Sequence, residues 1–95
     1  MSGWVYIMAN RYRGTLYIGV TADLEARIHA HRSGRGSAFC RRYRCSRLVH
    51  AEEFPTIDEA IGAEKAMKKW RRAWKIEAIE RNNPDWRDLW DLMQV

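Results

Sequence analysis

At 95 residues, 46% of them hydrophobic and 31% charged, the chain is long enough for one soluble globular domain, taken as residues 1–95, without disulfide or metal staples. No apolar run approaches the ~18 residues of a membrane span, so no membrane partner is expected. Seventeen Lys and Arg against twelve Asp and Glu leave a formal charge of +5, which favours a polyanionic partner. No secretory leader is evident, so Cys40 and Cys45 are expected to be reduced and the protein cytoplasmic.

Trp4 to Gly19 holds two apolar runs, Trp-Val-Tyr-Ile-Met-Ala and Gly-Thr-Leu-Tyr-Ile-Gly, around the polar turn Asn10-Arg11-Tyr12-Arg13. Runs of this length rich in Val, Ile, Tyr and Trp predict two antiparallel strands of a hairpin. Alternate residues of a strand share a face, so Tyr6 points with Trp4 and Met8, and Tyr17 with Thr15 and Gly19. Should the register bring those faces together, two phenols stand side by side.

Thr21 and Asp23 suit a helix N-cap, and Leu24 and Ile28 recur four apart, which predicts a helix over about Ala22 to Arg32. Arg27 and His31, also four apart, share a face at the rim of the core. Gly34 and Gly36 end the helix and open a flexible loop from Ser33 to Ser46. Six arginines lie between Arg32 and Arg47 with no acid among them, interleaved with Phe39 and Tyr43. Guanidinium groups neutralise phosphates and aromatic rings stack on unpaired bases, so Arg41, Arg42, Tyr43 and Arg44 are candidate nucleic-acid contacts.

Arg47 to Phe54 alternates only loosely but predicts a third strand, ended by Pro55. Thr56-Ile-Asp-Glu59 has the form of a capping box, and Ile57, Ala60, Ile61 and Met67 trace the buried stripe of the helix that follows. Glu64 falls on that stripe, where a carboxylate needs an ionic partner or a metal. A second basic cluster, Lys65 to Lys75, follows it. The helix continues past Trp70 and Trp74, with a break near Lys69 to Arg72, and ends at Asn82-Asn83-Pro84. Trp86, Leu89, Trp90 and Met93 are spaced as a short helix packed back on the domain. The expected fold is α+β: a small three-stranded antiparallel sheet flanked by helices.

Trp4-Val5-Tyr6 with Tyr17-Ile18-Gly19 resembles the paired signature of the GIY-YIG nuclease superfamily, with Trp4 in the place of its first glycine. The likeness extends through Asp23-Leu-Glu-Ala-Arg27 with His31, Glu53-Phe, Glu59-Ala with Glu64-Lys65, and Asn83-Pro-Asp-Trp, and is to the small stand-alone members. That resemblance implies a metal-dependent DNA endonuclease. It implies Tyr6 and Tyr17 from the signature strands, Gly19 as the close-approach glycine, Arg27 and His31 from the first helix, and Glu64 as ligand of Mg²⁺ or Mn²⁺. Tyr17 is then the general base and Arg27 the stabiliser of the transition state. His31 binds phosphate or relays a proton. The superfamily's late polar residue has candidates in Asn82 and Asn83.

A free phenol has a pKa near ~10, so Tyr17 needs positive neighbours or a metal to act as a base at neutral pH. Arg27 offers a planar fork of donors to the non-bridging oxygens, and Mg²⁺ needs only one or two protein carboxylates. One site cuts one strand, so double-strand cleavage calls for a homodimer, a recruiting protein or a second visit. Branched, damaged and single-stranded DNA are equally consistent substrates. The alternative is a nucleic-acid-binding module that turns over slowly or not at all.

Overall fold

In the computed structural model, which describes residues 2–93, the first two strands run over Gly3–Ala9 (β1) and Leu16–Thr21 (β2). They pair antiparallel with Tyr6 opposite Gly19 and Met8 opposite Tyr17. The third strand, Arg47–Phe54 (β3), pairs antiparallel with the other side of β1, giving the order β2-β1-β3. β1 is therefore the central strand, and Val5 to Ala9 are all fully buried.

The loose alternation of β3 has a physical cause. Ile7 pairs with His50 while the next residue, Met8, pairs with Leu48, so the register slips by one at a bulge around Val49. Leu48 and Ala51, of opposite parity, consequently pack on the same apolar cluster.

The two sheet faces are covered by different helices. Val5, Ile7, Ala9, Ile18 and Val49 face the helices Ile57–Lys69 (α3) and Arg72–Asn82 (α4), with Ala60, Met67, Ile79 and Trp86 filling the layer. On the opposite face, Tyr6, Met8 and Leu48 meet Leu24 and Ile28 of Leu24–Arg32 (α1). Cys40 of a further helix, Ala38–Tyr43 (α2), and Leu89 and Trp90 of Leu89–Met93 (α5) complete that side.

Two expectations change. The stretch from Ser33 to Ser46 is not loop throughout: Ser37 Oγ accepts from the Cys40 amide at 3.0 Å and starts α2, which Arg44 ends in the left-handed region at φ 58°. Its six residues are too short a run for apolar periodicity to reveal. Trp86, expected at helical spacing, lies outside α5 at φ 56°, fully buried, with Nε1 donating to Glu80 at 2.7 Å. The other caps stand as expected. Asp23 accepts from the Ala26 amide and Thr56 from the Glu59 amide, both at 3.1 Å. Trp70 and Arg71 are extended and separate α3 from α4.

α4 also pins the hairpin turn. Arg13 donates two hydrogen bonds of 2.8 Å to Glu80, and Arg72 donates to the carbonyls of Arg13 and Gly14 at 2.6 Å. Cys40 and Cys45 are free thiols, both buried, and burial pushes Cys40 up to about 12. Among the described residues no helix is long and apolar enough to cross a membrane.

Candidate active site

The hairpin register decides the geometry of the two phenols. Tyr6 and Gly19 are partners across β1 and β2, and the Tyr6 ring lies directly over the glycine. A Cβ at residue 19 would come within 2.4 Å of both Cζ and Oη of Tyr6. Tyr17 stands diagonal to Tyr6 on the same face, with ring centroids 6.3 Å apart. Tyr6 is fully buried in the central strand, whereas Tyr17, on the edge strand, is half-buried.

α1 adds the polar members. His31 is 6% exposed, deeper than the rim position expected for it, because its ring turns in under the sheet to meet Tyr6: Oη and Nε2 are 2.9 Å apart. The Tyr17 ring meets the imidazole edge-on at 5.3 Å. Arg27, one turn earlier and exposed, acts on the Tyr6 phenol and the His31 imidazole through its charge.

Burial favours the neutral form of both groups. Burial, and secondarily Tyr17, raises the Tyr6 phenol well above its ordinary value, with Arg27 opposing. Burial, then Arg27, lowers His31. Between a neutral phenol and a neutral imidazole, either Tyr6 O–H donates to Nε2 or the Nε2–H tautomer donates to Oη. Nδ1 is buried without a partner among the described residues, and Gly36 closes over it so tightly that a Cβ there would sit 2.2 Å from it.

α2 extends the aromatic surface. Phe39 lies 5.9 Å from Tyr17, Tyr43 lies 4.7 Å from Phe39, and the Arg42 guanidinium sits 5.4 Å over the Tyr43 ring. Arg41, Arg42, Tyr43 and Arg44 are all exposed beside this row. Phe39 and Gly36 were missed as site residues. Phe39 had been assigned to a loop, and a glycine packed against a histidine leaves no spacing signal.

Glu64 does not join this hydrogen-bonded group among the described residues. It projects from α3, the helix that covers the other sheet face, with its side chain 13% exposed and its carboxylate 3.1 Å from Lys68 Nζ. Among the described residues no group of three His, Cys, Asp or Glu could hold a metal ion together. Glu64 alone offers one carboxylate, a donor set too small for a closed metal cage and usable only by an ion that keeps most of its waters, as Mg²⁺ does. Asn83 is structural: its amide nitrogen donates to the Val49 and Arg87 carbonyls at 3.1 and 2.9 Å, and its oxygen accepts from the Arg87 amide. Asn82 is exposed.

Residues 2–77, which hold both tyrosines, Arg27, His31 and Glu64, match the family model of the GIY-YIG catalytic domain. The chain belongs to the GIY-YIG nuclease family. Among the small GIY-YIG proteins it is similar to the UPF0213 protein of Streptococcus pneumoniae serotype 4, at 33% identity over 83% of this chain and 79% of the relative. A UPF0213 protein of Staphylococcus haemolyticus is 35% identical over 81% of this chain and 93% of its own length. The solution NMR structure of the UPF0213 protein BH0048 from Bacillus halodurans superposes with a TM-score of 0.58 at 31% identity, covering 93% of each chain. The α+β fold with its three-stranded antiparallel sheet is thus shared with a solved GIY-YIG relative. In this chain Trp4 replaces the first signature glycine; it is half-buried and packs against the apolar cluster on the Tyr6 face.

Proposed function

We propose that the protein is a divalent-metal-dependent DNA endonuclease whose reaction centre is the Tyr6, Tyr17, Arg27 and His31 cluster. The observation that carries this reading is the convergence of two phenols and an imidazole on one sheet face, with ring centroids 5.3 to 6.3 Å apart and a cation acting on two of them.

The two tyrosines divide the work. Tyr6 is buried and its hydroxyl is engaged with His31, so it positions the imidazole and the floor of the site. Tyr17, the phenol that water can reach, is the general base: as the phenolate it takes a proton from the attacking water. Arg27 stabilises the charge that develops on the non-bridging oxygens. Glu64 is the residue that would hold Mg²⁺ or Mn²⁺, and the ion would supply further charge neutralisation. The arginines of α2 track the phosphates flanking the cut.

Relaxed plasmid formed from supercoiled DNA in Mg²⁺ or Mn²⁺ tests the assignment. Tyr17→Phe, Arg27→Ala and Glu64→Gln are each expected to cut at least ~100-fold more slowly, the scale of general-base and electrostatic contributions. Nicking that persists unchanged in all three refutes it. A second reading has one observation in its favour: the Glu64 carboxylate is already neutralised by Lys68. On that reading the chain binds nucleic acid and turns over slowly or not at all, and wild type would bind DNA without nicking it in either metal.

A further inference from the structure

The site above leaves the second basic cluster unused. Six cations, Lys65, Lys68, Lys69, Arg71, Arg72 and Lys75, stand between Glu64 and Glu77 with no acid among them. Three are occupied: Lys68 by Glu64, Arg72 by the hairpin carbonyls, and Lys75, whose Nζ donates to the Lys68 carbonyl at 3.4 Å. Among the described residues no carboxylate pairs with Lys65, Lys69 or Arg71.

The α3–α4 elbow gives those cations a particular setting. Trp70 and Arg71 are both extended, and Arg71 makes no side-chain cap to α4. Its guanidinium instead lies 4.6 Å over the ring of Trp74, which is 48% exposed. A groove of about 420 Å³ is lined by Trp70, Trp74, Glu77, Ala78 and Arg81. The side chains of Glu77 and Arg81 form only a loose ion pair, 3.7 Å apart and about 70% exposed on both sides, so each can turn to a ligand.

We propose that this elbow is a stacking platform for an unpaired nucleotide of the substrate strand. An indole open to solvent and backed by a guanidinium, at an elbow whose sequence is rich in cations, suits a base whose π-face is free and whose phosphates follow close by. A duplex hides those faces within its own stack, and a protein partner gives no reason for the surplus of positive charge. The proposal rests on the nuclease reading for its substrate class and narrows it to DNA with a single-stranded element.

Fluorescence anisotropy with a labelled oligo(dT) and with a duplex of the same length, both in EDTA to prevent cleavage, tests it. Trp74→Ala is expected to weaken oligo(dT) binding roughly 10-fold while changing duplex binding less than about twofold, and Trp74→Phe should restore most of the loss. Trp74 is too exposed for its removal to unfold the chain, and the far-UV circular dichroism of each variant checks that. No loss in Trp74→Ala, or an equal loss on both DNA forms, overturns the platform and leaves a protein-docking face or a general basic surface. Because binding in EDTA reads no turnover, a failed nicking assay with an intact Trp74 effect sinks the active site and not the platform. The converse pair of results sinks only the platform.

Discussion

Gly19→Ala is the sharpest test of the geometry on which the site is built. The added Cβ would lie 2.4 Å from Cζ and Oη of Tyr6 and 2.9 Å from Cε1, against ~3.5–4.0 Å for a comfortable carbon contact. The ring must therefore withdraw by roughly 1 Å or more. It has nowhere to go, since Tyr6 is fully buried among Met8, Leu24, Ile28 and Cys40. Overpacking of this kind costs about 1–3 kcal/mol, and loss of the His31 hydrogen bond adds about 1 kcal/mol. At ~4–8 °C per kcal/mol for a domain of this size, thermal unfolding should come roughly 8–32 °C earlier. Gly62 supplies the control: a Cβ there meets nothing within 4 Å. Gly62→Ala, within α3, should be neutral or stabilise by about 0.5–1 kcal/mol. Calorimetry on both variants measures this. A Gly19→Ala protein that melts within ~2 °C of wild type would mean that Tyr6 does not sit over residue 19, and the positioning role of Tyr6 would fall with it.

Stability should also respond to pH through the buried imidazole of His31 and the half-buried one of His50. Burial lowers His31 and, with Arg81 adding and Glu52 opposing, His50. The unfolded chain takes up those protons near pH ~6.5 while the folded protein resists them. Stability is thus complete above that pH, falls as pH drops through it, and levels off once the folded imidazoles also protonate. Melting curves from pH 7.5 to 5.5 should show the fall, shallower in His31→Gln and in His50→Gln; the same slope in both variants would place the titration elsewhere. For α2, replacing Arg41, Arg42 and Arg44 by alanine should flatten log affinity against log salt by about 0.9 for each arginine that contacts a phosphate of duplex DNA. An unaltered slope would put the phosphate contacts elsewhere.

The sheet was legible because its signals are local. Val, Ile and Tyr runs with a polar turn name the hairpin, and Thr56 with Glu59 names the start of α3. What escaped depends on contacts distant in sequence. The depth of His31 is set by Tyr6 at one side and Gly36 at the other, and neither lies at helical spacing from it. α2 is a single capped turn and a half, and its only local signal is Ser37 followed by apolar Phe39 and Cys40. Trp86 reads as one more member of a helical stripe. Its left-handed backbone serves a tertiary demand, the burial of an indole that still reaches Glu80.

Tyr6 closes the first half of the signature and Tyr17 opens the second, and the sheet order makes them chemically unlike. β1 is flanked on both edges and covered on both faces, so a phenol there loses water and keeps its proton. β2 is an edge strand, so a phenol one diagonal step away keeps access to solvent while sharing the same imidazole neighbour. The proposed reaction asks for both settings at once: one ring held against His31, and another open to water. The strand order places two copies of one side chain in those settings, and the missing Cβ at Gly19 leaves room for the buried one.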